Sequence, residues 1–214
     1  MGFIENKHYF EPDWAAINGF LDKNQLKGLM KQRPCKIVIG ASGVFDQGWI
    51  PTEKGVLNVS KKADWEEYFQ EGDIDAILSE HVWEHLTEED GLTAAKLCYQ
   101  YLKQGGYLRV AVPDGYHPDP AYIDHVRPGG IGAGSDDHKV LYTYKTFSDL
   151  FLQAGFSIRL LEYFDEHGVF HYQAWNPDNG KIHRSSRFDL RNQGQENRLK
   201  YTSLILDVFK TQIV

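Results

Sequence analysis

The sequence predicts an α/β protein built on a mostly parallel sheet. Short runs of β-branched and aliphatic residues alternate with segments of helical character, and the connections between them are short. This alternation is typical of parallel strands joined by crossover helices. The clearest strand-forming runs lie at 35–39, 74–79 and 107–112.

Composition and charge limit the kind of protein this is. The chain has 214 residues, 42% of them apolar, which is enough for one domain with a large core. A net charge of −7 argues against binding to duplex nucleic acid or to an anionic membrane. Two cysteines, Cys35 and Cys98, are too few for a disulfide scaffold. Since no signal peptide and no run of about 18 apolar residues is visible, we expect a cytoplasmic protein.

The first half of the chain carries the alternating elements. We expect a helical extension at 1–33, strands at 35–39, 56–59, 74–79 and 107–112, and helices at 64–69 and 88–104. Thr87 is a plausible N-cap for the second helix, because three acidic residues follow it in the first turn. Gly105 and Gly106 are expected to end that helix.

The remaining residues indicate an antiparallel edge on the sheet. We expect a long loop at 113–139, a helix at 146–154, a strand at 157–163, a hairpin that joins 169–175 to 181–185, and a last strand at 201–209. Long loops in compact domains tend to be lids or binding segments. The loop is rich in aspartate and histidine, but their irregular spacing favours solvated side chains over a metal site.

Parallel α/β sheets bind their ligands beyond the carboxyl ends of the strands. The turn at 40–43 follows a predicted strand, and its small residues would let a ligand approach backbone amides. A purely structural turn explains this tetrapeptide equally well. Glu53 follows ten residues after Gly43, where a carboxylate could accept both hydroxyl protons of a ribose.

Together these motifs resemble the class I S-adenosylmethionine-dependent methyltransferases, in the branch of small stand-alone enzymes. The matching segments are the glycine turn at 36–43, the acidic motif at 48–53, the adenine-framing segment at 63–75, the fourth-strand motif at 77–86 and the Leu-Lys-x-Gly-Gly signature at 101–110. The resemblance covers residues 35–114. It implies a Rossmann-like seven-stranded, mostly parallel sheet with an antiparallel C-terminal edge, here with a β-hairpin inserted at 169–185.

The resemblance also implies the cofactor and the residues that hold it. The methionine part of S-adenosylmethionine would contact Gly40, Ala41, Ser42 and Gly43, and its ribose would contact Glu53. Its adenine would contact Asp64 and Trp65. The floor beneath the sulfonium would consist of Ser79, Glu80 and His81. The acceptor would be a small or sugar-like molecule, bound between the loop at 115–139 and the hairpin. The methyltransferase-like domain would span 34–214.

Transfer from a sulfonium is an in-line displacement that requires alignment and exclusion of water. A general base is needed only where the acceptor must lose a proton. The candidates for this role are Glu80, His81, Asp114 and His138, which lie at or beyond strand ends. A capping or packing role is the alternative for His81.

Three other functions remain open. Val38 stands where this family usually has an acidic residue, and 43–53 is too short for the usual helix, so a non-catalytic binding module is the second hypothesis. The pattern His81-x-x-Glu84-His85 matches a zinc-hydrolase motif, although it lies at a strand-to-helix junction, and we expect no metal. A dehydrogenase is disfavoured because the turn lacks the full G-x-G-x-x-G pattern.

A group of arginines near the C-terminus could serve the acceptor. Arginine forks suit a carboxylate or a phosphate, and Arg184, Arg187 and Arg191 lie close together in the sequence. Pairing with acidic surface residues explains them equally well.

Overall fold

The computed structural model describes residues 23–192 and 199–211. Its strands are β1 (Lys36–Ile39), β2 (Ile50–Thr52), β3 (Ile74–Glu80), β4 (Leu102–Pro113), β5 (Ser157–Phe164), β6 (Phe170–Tyr172) and β7 (Ser203–Phe209). Its helices are α1 (Lys23–Met30), α2 (Lys62–Tyr68), α3 (Glu88–Tyr101), α4 (Pro120–Val126) and α5 (Tyr144–Gln153). Short 3-10 turns cover Trp83–His85, Ser135–Asp137, Pro177–Asn179 and Leu190–Asn192.

All seven strands form one sheet in the order β2-β1-β3-β4-β7-β5-β6. The first three pairings are parallel, and the pairings of β4 with β7, β7 with β5 and β5 with β6 are antiparallel. Only β7 and β6 therefore run against the other strands. The predicted α/β fold, with a mostly parallel sheet and an antiparallel C-terminal edge, is confirmed.

The two faces of the sheet are covered differently. Helices α2, α3 and α5 contribute Trp65, Leu97 and Phe151 to the main core on one face. The other face is covered by irregular segments that carry Trp49 and Ile182. No helix forms between β1 and β2, as the short spacing at 43–53 predicts.

Some element boundaries differ from the expectation. The second strand is β2 at Ile50–Thr52 and not 56–59, which forms a turn whose backbone is held by α2: Asn58 N–H donates to Asp64 and the Val59 carbonyl accepts from Trp65. Helix α3 begins at the predicted cap, where the Thr87 hydroxyl accepts from the Asp90 amide. It ends at Tyr101, before the two glycines, because the next residue already pairs with β3.

The C-terminal segments also differ from the expectation. The hairpin predicted between 169–175 and 181–185 does not form, because β6 pairs with β5 and residues 181–185 form no strand. Arg109 explains the difference, since its guanidinium holds the carbonyls of Asn176 and Gly180 against the sheet. The predicted loop at 113–139 contains α4, which begins at an Asp119 cap.

The structure describes only part of the helical extension predicted at 1–33. Helix α1 lies within it, whereas residues 1–22 lie outside the described residues. Within 23–192 and 199–211, no helix combines the length and the apolar character needed to cross a bilayer.

Candidate functional site

A cavity of about 400 Å³ opens at the carboxyl ends of β1 and β3. These strands are neighbours, and the chain leaves them in opposite directions along the sheet, toward β2 and toward β4. Such a switch point is the usual ligand site of an open α/β sheet. The walls come from the turn after β1, from the end of β3 with the turn that follows it, and from residues 181–184; Ala133 and His138 also line the cavity.

The turn after β1 has a backbone that side chains rarely tolerate. Gly40 has a φ of +62°, and a Cβ there would lie 2.5 Å from Cγ2 of Val82. Ser42 also has a positive φ, of 42°. The turn therefore requires glycine at 40, and Gly40, Ala41 and Ser42 all line the cavity.

Glu53 lies directly against this turn. Its Oε1 accepts a hydrogen bond of 2.5 Å from the Ser42 amide, although the two residues are eleven apart in sequence. The side chain is half-buried, and within the described chain no hydrogen bond engages its second oxygen, Oε2. The structure thus brings together the two motifs that the resemblance assigns to the methionine and ribose sites, although Glu53 itself is not among the residues that line the cavity.

The two residues expected at the adenine lie outside the cavity. Trp65 is fully buried, stacks on Tyr101 with a centroid separation of 5.2 Å and donates its indole N–H to the Val59 carbonyl. Because it belongs to the core, the predicted adenine contact of Trp65 is wrong. The Asp64 carboxylate accepts from the Asn58 amide at 2.8 Å and so fixes the loop that precedes α2.

Leu78 and Glu80 at the end of β3 line the cavity, whereas Ser79 between them does not. Ser79 is fully buried, and its hydroxyl has no hydrogen-bond partner among the residues that the structure describes. Glu80 lines the cavity and accepts from the amides of His183 and Arg184, at 2.9 and 2.7 Å. Its carboxylate therefore holds the 183–184 segment over the opening.

His81 has the most constrained imidazole of the site. Its φ is +57°, its Nε2 lies 2.9 Å from the Ser203 hydroxyl oxygen, and its Nδ1 lies 3.0 Å from Oε1 of Glu84. A ring held between a hydroxyl and a carboxylate, at a cavity wall, is arranged to hold or transfer a proton. His81 lines the cavity, and its role as a general base stays a prediction.

Asp114 does not belong to the site. It is fully buried away from the cavity, and its two carboxylate oxygens accept from the amides of Tyr116 and Phe164 at 2.9 and 2.7 Å. Burial raises the pKa of Asp114 to about 6. The residue anchors the start of the 115–139 segment to β5, and its predicted catalytic role is wrong.

His138 lines the cavity, as its predicted role requires, and it brings neighbours that the sequence did not connect to it. Its Nδ1 lies 2.6 Å from the Val126 carbonyl, and its ring meets the ring of His85 edge-to-face with a centroid separation of 4.7 Å. The close approach of residues 84–85 to 138 had no signal in the sequence, because it depends on the course of the 115–139 segment.

The three arginines near the C-terminus lie in different surroundings. Arg184 lines the cavity together with Lys181 and His183. Arg191 instead pairs with Asp189 at 2.6 Å, and Arg187 lies over the ring of Phe188 at 5.0 Å. Desolvation by burial lowers the pKa of His183, which favours its neutral form.

The residues of the zinc-hydrolase pattern are not arranged as a zinc hydrolase requires. The motif needs its two histidines on one α-helical face. Here His81 precedes the 3-10 turn Trp83–His85 with a left-handed backbone, and both of its ring nitrogens face protein partners.

Comparison with known proteins points to methyltransferases. Residues 51–110, from β2 into β4, match a family described as a methyltransferase domain, which confirms the resemblance over that segment. No curated protein sequence is significantly similar to the chain.

Two solved structures illustrate the structural similarity. One is a SAM-dependent methyltransferase from Thermotoga maritima, described as a possible histamine N-methyltransferase, with 13% identity, a TM-score of 0.49 and coverage of 92% of this chain and 93% of that chain. The other is a SAM-dependent methyltransferase from Archaeoglobus fulgidus, with 12% identity, a TM-score of 0.46 and coverage of 88% and 93%. At this level of similarity neither bears on the acceptor.

Proposed function

We propose that the protein transfers a methyl group from S-adenosylmethionine to a small-molecule or sugar-like acceptor. The observation that carries the proposal is the hydrogen bond between the Ser42 amide and Glu53. It joins the acidic residue after β2 to Ser42 of the glycine turn, which lines the cavity at the switch point of the sheet. The match of residues 51–110 to a methyltransferase domain supports the same function.

The cofactor roles follow from this geometry. The backbone of Gly40 to Gly43 would hold the methionine carboxylate, and Oε2 of Glu53 would accept from the ribose hydroxyls. Ser79, Glu80 and His81 would lie beneath the sulfonium. Asp64 would act indirectly, by fixing the loop at Asn58.

The acceptor would lie on the side of the cavity formed by His138 and residues 181–184. Lys181 and Arg184 line the cavity beside the acidic Asp46, Glu80 and Glu84, so the lining offers groups of both charges to the hydroxyls of an acceptor. The net charge of −7 continues to disfavour nucleic acid as the acceptor. Cys35 and Cys98 are both free and buried, which suits action in the reducing cytoplasm.

A second candidate function is binding without turnover. Val38, in place of the family's usual acidic residue, is buried against the irregular layer and offers no hydrogen bond to the amino-acid end of the cofactor. Methyl transfer to any acceptor in an extract, measured with methyl-labelled S-adenosylmethionine, separates the two: a binding module takes up the cofactor and transfers nothing.

Replacing Glu53 with glutamine is expected to weaken binding of S-adenosylhomocysteine by about 10- to 100-fold. Glutamine keeps an acceptor for the Ser42 amide but loses the charged hydrogen bond to the ribose, which is worth about 1.5–3 kcal/mol. Isothermal titration calorimetry on the full chain measures the effect. Glu66→Gln, an exposed glutamate of α2, is the matched control and should bind like the unmodified protein. Equal affinities of all three proteins would refute the assignment of Glu53.

A further inference from the structure

Two imidazoles and a carboxylate converge on the cavity wall. Glu84 and His85 come from the 3-10 turn after β3, and His138 follows the 3-10 turn Ser135–Asp137. All three line the cavity, and one potential ligand atom from each lies within 4.8 Å of the others. The proposed methyl transfer uses neither Glu84 nor His85.

The Glu84 carboxylate is the strongest sign of a missing ligand. Its side chain is 1% exposed, and neither of its oxygens accepts a well-aligned hydrogen bond from the described residues. Nδ1 of His81 lies 3.0 Å from Oε1, whereas no donor among the described residues reaches Oε2. A buried carboxylate oxygen that lacks a donor is costly, and a bound cation would remove that cost.

The two histidines are oriented as metal ligands usually are. Nδ1 of His138 lies 2.6 Å from the Val126 carbonyl oxygen, and Nδ1 of His85 lies 3.5 Å from Oδ2 of Asp137. A ligand histidine commonly directs one ring N–H to a carbonyl or a carboxylate, which keeps the lone pair of the other nitrogen available. In the described chain, Nε2 of neither ring has a hydrogen-bond partner.

We propose that Glu84, His85 and His138 bind a first-row divalent cation of the Zn²⁺ type, with at least one coordination position open to the cavity. Two imidazoles and a carboxylate form a common ligand set for such a cation when the remaining position is kept for water or substrate. His81 is not a ligand, so this site differs from the zinc-hydrolase pattern. Its ligands come from two segments that are distant in the sequence.

The cation's role rests on the proposed function. The cation would lower the pKa of an acceptor hydroxyl bound at the open position, and the hydroxyl would release its proton to water. Its oxygen then forms a bond to the methyl carbon as the sulfur–methyl bond breaks, and the sulfur keeps the electron pair. The site therefore favours an acceptor with a metal-binding hydroxyl group over an amine.

Direct metal titration tests the site without any activity measurement. The full chain, free of affinity tags and treated with a chelator, is titrated with Zn²⁺ by calorimetry and with Co²⁺ by visible absorption. We expect one equivalent to bind, with the ligand-field bands of a four- or five-coordinate Co²⁺ ion. His138→Gln and His85→Gln should each weaken binding at least about 100-fold, because even outer-shell partners typically contribute 10- to 100-fold.

Two controls keep the outcomes distinct. His125→Gln removes an exposed histidine from the same segment and should bind the metal like the unmodified protein. Glu84→Gln tests the buried ligand, once its thermal unfolding midpoint has shown that the variant is folded. Absence of stoichiometric binding, or unchanged affinity in both histidine variants, overturns the proposal. S-adenosylhomocysteine binding in the same metal-free samples tests the proposed function separately, since a chain can retain one ligand and lose the other.

Discussion

Replacing Asp207 with asparagine is expected to lower the free energy of unfolding by about 3–5 kcal/mol. Asp207 lies on β7 and is 1% exposed. Its carboxylate accepts from Nε and Nη2 of Arg109 on β4, at 2.7 and 3.0 Å, and from Arg159 on β5 at 2.5 Å. Without that charge, the buried guanidinium of Arg109 would remain in the core with no counter-ion.

The loss should extend to the cavity. Nη1 of Arg109 donates to the carbonyls of Asn176 and Gly180, at 2.9 and 2.6 Å, and its guanidinium lies 4.7 Å from the centre of the Trp175 ring. These contacts hold the segment that leads into residues 181–184. Weaker binding of S-adenosylhomocysteine is therefore expected in Asp207→Asn as well.

Urea unfolding followed by circular dichroism measures the stability change. Arg159→Gln is the matched control, because the Arg159 side chain is 45% exposed and removing it should cost less than about 1 kcal/mol. If Asp207→Asn lowers the free energy of unfolding by less than about 1 kcal/mol, the pair of Asp207 and Arg109 contributes no more to stability than a surface ion pair.

Replacing Gly40 with alanine is expected to disrupt both the turn and the cavity. A left-handed backbone costs an L-residue about 1–2 kcal/mol, and the new Cβ would overlap Cγ2 of Val82, 2.5 Å away. Val82 would have to shift, and it precedes the turn that carries Glu84. We expect a clear loss of stability and at least about tenfold weaker binding of S-adenosylhomocysteine, since about 1.4 kcal/mol corresponds to tenfold.

Two further variants identify the cause of the losses expected in Gly40→Ala. Gly55→Ala lies in the loop after β2, where an added Cβ would meet nothing within 4 Å, and it should leave stability and binding unchanged. Adding Val82→Ala to the Gly40→Ala chain removes the overlap but not the backbone strain, so it should restore only part of the loss. A Gly40→Ala protein as stable as Gly55→Ala would show that the turn does not need glycine.

The sequence predicted the parallel part of the fold because buried parallel strands appear as continuous apolar runs. It missed β2, whose three residues include Pro51 and offer no such run. Proline is tolerated there because β2 is an edge strand. The competing run at 56–59 is apolar for another reason, since Leu57 and Val59 fill the core around α2.

The site was predictable where it depends on local spacing. Gly40 and Glu53 lie near each other because they follow adjacent parallel strands, and the motif spacing carries that information. Trp65 was misplaced because the resemblance of a segment does not indicate whether its aromatic residue faces the core or a ligand. The approach of His138 to Glu84 and His85 depends on the folding of the 115–139 segment, which no local pattern encodes.

A crystal structure of the full chain with S-adenosylhomocysteine tests the central claim most directly. The account predicts that the ribose hydroxyls lie within hydrogen-bonding distance of the Glu53 carboxylate and that the methionine carboxylate meets the amides of residues 40–43. Electron density for the ligand elsewhere in the fold, or in this cavity with Glu53 turned to solvent, would contradict the account.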